Sequence, residues 1–130
     1  MRESVGYWLD LAEYDFDTAR AMLIAGKFFY VGFMCHQTIE KTLKAVISSN
    51  LEEGDIPPKI HDLVKLAVRS DLFSIMSDDQ KKFIDYLNPL NIEARYPENK
   101  TQLIELLTVE KCEAILSGTD EFLCWIKNQL

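Results

Sequence analysis

Histidine is scarce in this chain: two in 130 residues, His36 and His61. A serine or cysteine hydrolase would have to recruit one of them as its base, and no Gly-x-Ser-x-Gly elbow is present. Positive charge is also short, with 14 Lys and Arg against 21 Asp and Glu, a net charge of −7. That excludes broad salt-driven binding to nucleic acid, which needs a basic face, but leaves room for a small basic pocket. The three cysteines, Cys35, Cys112 and Cys124, are odd in number and lack metal-ligand spacing. Cys112 and Cys124 would lie about 18 Å apart on one helix, too far for a disulfide. All three are expected to be reduced thiols packed as small apolar groups. Cys35 adjoins His36, but helix neighbours point about 100° apart, so the two are no nucleophile–base pair. There is no glycine-rich phosphate loop, internal repeat or low-complexity tract. No apolar run is long enough to cross a bilayer, and the opening MRESVGYWLDLAEYDFD has no apolar h-region. A cytoplasmic protein is the expectation.

What the chain does contain is helical periodicity. Apolar residues make up 48% of it, enough for one substantial core, so residues 1–130 are read as a single domain. The first helix is expected over about Glu3–Ala25. One stripe on it is Leu9, Ala12, Phe16, Ala19 and Leu23; a second is Tyr7, Leu11, Tyr14, Thr18 and Met22. Two stripes mean cover on two sides, by the bundle or by another subunit. Gly26 suits the residue just past the helix, and Lys27–Tyr30 forms the corner. A second helix climbs to about Asn50 with Val31, Cys35, Ile39, Leu43 and Val46 on one side. Glu52–Lys59, with Gly54, Pro57 and Pro58, is a loop. A short helix is expected over His61–Ser70, with Leu63, Leu66 and Ala67 inward. Ser77-Asp78-Asp79-Gln80 is a capping box that opens a helix carrying Phe83, Ile84 and Leu87. Pro89 is expected to bend or end that helix near Asn88. Asn91–Leu107 has no clean period, although Leu103–Leu107 has helical character. Thr108 caps a last helix, Val109–Leu130, whose seam is Val109, Cys112, Leu116, Thr119, Leu123, Ile126 and Leu130. Gly118 within it marks a close helix contact. No strand pattern competes. The fold class is all-α, an up-and-down bundle of four to five helices with antiparallel neighbours.

Three polar islands carry the reactive side chains. The first lies on the second helix: His36, Glu40 and Lys44 form one ladder at i, i+4, i+8, beside Gln37 and Lys41. By charge alone this is a solvated face, with Glu40 ahead of Lys44 in the order that supports a helix. The second is Lys59, His61 and Asp62, where Asp62 places negative charge in the first turn of a helix. The third surrounds Arg95 and Tyr96, and Arg95 could simply tie its loop to the bundle through a carboxylate. His36, Glu40 and His61 have usable ligand spacing, but two ligands on one helix and a distant third make a weak set. Neither a metal nor a cofactor is expected.

The islands occur in order as FMCHQTIEKTLKAVI, KIHDL and NIEARYPE. With the opening YWLDLAEYDFDTARAMLIAGKFFYVGFM they resemble the HEPN family (higher eukaryotes and prokaryotes nucleotide-binding) over about residues 5–127. The resemblance implies a helical bundle that commonly dimerises, with a cleft at or near the dimer interface. It implies a nucleotide- or polyphosphate-binding module and partnership with a minimal nucleotidyltransferase, often as a toxin–antitoxin-like pair. The ligand-binding residues it suggests are His36, Gln37, Glu40, Lys41, Lys44, Lys59, His61, Asp62, Arg95 and Tyr96. Many members are ribonucleases, marked by an arginine and, about two helical turns later, a histidine. Here Arg95 is present but no histidine follows His61, so the usual general acid–base is missing and the chain resembles the non-nuclease branch. Two alternatives stay open: a ribonuclease-type toxin that uses His36 or His61 as a displaced base, and a dimeric scaffold without ligand.

Overall fold

A computed structural model describes residues 2–93 and 107–130. Among these residues every regular element is helical. Helix α1 spans Glu3–Ile24, α2 Phe28–Asn50, α3 Leu63–Arg69, α4 Asp78–Glu93 and α5 Val109–Lys127, with a 3₁₀ turn at Phe73–Ile75. The chain folds as an up-and-down bundle in which α2 is central and touches each of the other four helices.

The ends of these elements follow local chemistry. Gly26 adopts φ +75°, the left-handed conformation that glycine enters without a Cβ penalty. Gly26 N–H donates to Leu23 O at 3.1 Å and Lys27 N–H to Met22 O at 2.8 Å. These two bonds are a Schellman close, so α1 stops and α2 begins within three residues. At the other end of α2 the Arg2 guanidinium donates to Ser48 O at 3.2 Å and to Leu51 O, where free carbonyls and the helix dipole favour a cation. The capping box forms reciprocally: Gln80 N–H donates to Ser77 Oγ at 3.1 Å, and Ser77 N–H to Gln80 Oε1 at 2.8 Å. Thr108 Oγ1 accepts from Lys111 N–H at 3.2 Å and opens α5.

The core is built on the α2 stripe of Val31, Cys35, Ile39, Leu43 and Val46, all buried. Against it pack Ala19 of α1, Leu63, Leu66 and Ala67 of α3, Ile84, Leu87 and Leu90 of α4, and Cys112, Ile115, Phe122 and Ile126 of α5. Gly118 is a close contact: a Cβ there would lie 2.6 Å from Phe83 Cε1.

Four expectations change. Helix α4 does not end near Asn88 but runs through Pro89 to Glu93. The lost backbone bond costs roughly 3 kcal/mol, and the next turn offsets it by burying Leu90 and joining Asn91 to α2. The short helix starts at Leu63 rather than His61, because Asp62 is its cap and not a first-turn residue. The seam of α5 holds at Cys112, Thr119, Leu123 and Ile126, but Val109 and Leu130 at its two ends are exposed. Cys124 also lies on the outside, unlike Cys35 and Cys112. On the second stripe of α1, Leu11, Thr18 and Met22 are half-buried while Tyr7 and Tyr14 are exposed in the single chain, as the alternative of cover by another subunit allows.

Candidate functional site

The polar side of α2 is buried, not solvated. His36, Glu40 and Lys44 are respectively 0%, 3% and 6% exposed. The reason is topological. A helix at the centre of a bundle is covered all round, so its charges must find partners in the covering elements.

Each of them does so in a different direction. Toward α1, Lys41 Nζ pairs with Asp15, and Lys44 Nζ lies 5.6 Å from the centre of the Trp8 ring. Toward α4, Gln37 Nε2 donates to Asn91 Oδ1 at 2.9 Å. Along α2, Lys44 Nζ donates to Glu40 Oε2 at 3.1 Å. Toward the loop before α3, both oxygens of Glu40 lie 3.1 Å from His61 Nδ1. Glu40 therefore joins α2 to the 51–62 loop. Next to it, Asp62 accepts from Lys65 N–H at 3.1 Å, and Asn88 Oδ1 accepts from Leu63 N–H at 2.9 Å. Burial raises the Asp62 carboxyl, yet the Lys65 N–H, the Asn88 amide and the other donors around it outweigh burial and lower it.

The two histidines meet opposite environments. His36 Nδ1 sits 3.8 Å from Glu40 Oε1, too far for a hydrogen bond, and the ring faces the His61 backbone without a well-aligned hydrogen bond to it. Burial pushes its pKa down from 6.5 to about 4, against the pull of Glu40 toward the charged form. His61 keeps 48% of its side chain exposed. An ionised carboxylate can only accept, so in the neutral ring the bond to Glu40 places the proton on Nδ1 and leaves the lone pair on Nε2.

The structure thus brings His36, Glu40, Lys44 and His61 into one cluster. It sends Lys41 to Asp15, Gln37 to Asn91 and Asp62 to the α3 terminus. Lys59 lies exposed in the adjoining loop. Arg95 and Tyr96 fall outside the described residues. Sequence reasoning missed Trp8, Asp15 and Asn88. Asp15 carried a signal: an acid in register with Ala12 and Ala19, on the apolar side of α1, needs a buried cation. No group of three or more His, Cys, Asp or Glu suited to a metal ion occurs among the described residues.

An all-helical bundle whose central helix carries an internally paired polar ladder is the class defined by this fold and this cluster. More particularly, the HEPN domain model matches residues 5–129, and the chain belongs to that family. No curated protein matches it by sequence. It is similar to a solved structure, the crystal structure of TT1696 from Thermus thermophilus, at TM-score 0.83 and 19% identity, covering 99% of this chain and 100% of that one. At that identity the likeness concerns the fold. No helix among the described residues is long and apolar enough to cross a membrane.

Proposed function

We propose that this HEPN protein is a cytoplasmic, homodimeric module that binds a nucleotide or polyphosphate and partners a minimal nucleotidyltransferase in a toxin–antitoxin-like pair. The observation that carries the reading is the division of labour around Glu40. Lys41 and Lys44 already hold carboxylates, so with His36, Gln37, Glu40 and Asp62 they form the supporting framework. The ligand meets the outer groups, His61, held by Glu40, and Lys59; the family resemblance adds Arg95 and Tyr96 of the third island as further ligand contacts. Arginine offers phosphate a bidentate fork and lysine a point charge, while tyrosine stacks on a base. Titration calorimetry with ATP, GTP and their diphosphates tests this on wild type, His61→Ala and Arg95→Ala. Wild type should bind and both variants weaken. Absence of binding to all four nucleotides leaves only the partner role, which co-purification with a nucleotidyltransferase encoded next door would support.

A second reading is a ribonuclease in which His61 supplies the missing base. The geometry favours His61 over His36, because His36 is sealed from solvent. This reading requires RNA cleavage that survives metal chelation and vanishes in His61→Ala. RNA left intact by an excess of protein rejects it.

A further inference from the structure

The cluster presents one imidazole to solvent and hides the other, and the exposed one has a carboxylate fixed behind it. We propose that His61 is a phosphoryl-acceptor site, nucleophilic through Nε2, with Glu40 as its positioning residue. The inference goes beyond nucleotide binding and does not depend on it.

Three features support it. Glu40 lies within 3.1 Å of Nδ1 through both oxygens, which sets the tautomer and strengthens Nε2 as an electron-pair donor. Glu40 cannot swing away freely, because it is 3% exposed and Lys44 holds Oε2 at 3.1 Å. Of the two charges beside His61 in sequence, Lys59 favours an anionic donor and the Asp62 carboxylate opposes it. Lys59 is exposed in the same loop, and the Asp62 carboxylate is engaged by Lys65 N–H. In the transfer, the Nε2 lone pair attacks phosphorus, the bond to the leaving group breaks, and its electron pair departs with that group. The Nδ1 proton stays on the ring, and the positive charge this creates faces Glu40. The donor class is a phosphoramidate or a phosphoanhydride; with phosphoramidate the leaving group is ammonia.

The test uses the full chain and potassium phosphoramidate near neutral pH, followed by intact mass and by fragment mapping. A nine-residue peptide, Pro57 to Lys65, provides the unpositioned reference for the same histidine. The expected product carries one acid-labile, base-stable phosphoryl group on His61, formed about tenfold faster than in the peptide, with His36 unmodified. In Glu40→Gln the rate should fall to that of the peptide. A His61 rate at or below the peptide's overturns the proposal, as does labelling of His36 at a comparable rate. Should Glu40→Gln not fold, ¹⁵N shifts of the wild-type ring decide: a proton on Nδ1 supports the assignment and a proton on Nε2 overturns it.

Discussion

Removing the Glu40 carboxylate tests whether α2 is held by its internal charges. In Glu40→Ala the Lys44 ammonium, 6% exposed, loses its only carboxylate among the described residues. Breaking one side of a buried pair costs about 3–5 kcal/mol. The Trp8 ring 5.6 Å from Nζ recovers part of this, and the lysine stem can carry its charge outward. The expected loss is therefore about 2–4 kcal/mol. His61 adds little, since water can replace Glu40 at a half-exposed ring. Removing both charges in Glu40→Leu/Lys44→Met leaves no orphan ion and should return stability to within about 1 kcal/mol of wild type. Urea unfolding followed by circular dichroism, with m unchanged, reads both values, and the single variant should melt on the order of 10 °C lower. A single variant within about 1 kcal/mol of wild type, or a double variant as unstable as the single, would refute the reasoning.

Further outcomes follow from the same packing. His36 titrates near 4 when folded and 6.5 otherwise, so the unfolded chain binds the proton first as pH falls. Stability from this group is complete above pH 6.5 and declines toward pH 4 by about 3 kcal/mol. Equilibrium unfolding at stepped pH should show a shallower acid decline in His36→Leu, with neutral-pH stability equal to or above wild type, since a buried and poorly satisfied imidazole is removed. An aromatic disulfide reagent should modify Cys124 alone in the native state. Cys35 is buried and its thiol is pushed up to about 12 by that burial, and Cys112 is buried too. Rapid reaction of two thiols without denaturant would contradict the packing. Thr108→Ala should cost about 1 kcal/mol by urea titration, because Lys111 N–H loses its acceptor at the start of α5.

Much of the architecture was legible because its signals are local. The Ser77–Gln80 box, the Thr108 cap, Gly26 and the five-residue α2 stripe each depend on residues within a few positions of one another. Pro89 escaped a local reading for the same reason. Its local penalty was visible, but the Leu90 burial and the Asn91–Gln37 bond that outweigh it depend on a helix 54 positions away. The site was legible as a set of residue types, but their environments were not. In the sequence His36 stands four positions before Glu40 and His61 next to Asp62, and nothing local tells which is sealed.

By itself the sequence determined the helices, their caps, the apolar faces and, through the order of its three islands, the family. These follow from backbone periodicity and short-range hydrogen bonding. Only the tertiary structure decided that α2 lies at the centre, and centrality turned a charged helix face into a buried, paired ladder. The physical reason is desolvation: once α1, α4 and the 51–62 loop exclude water, Glu40 must be shared between Lys44 and His61, and that sharing sets the exposed imidazole in place.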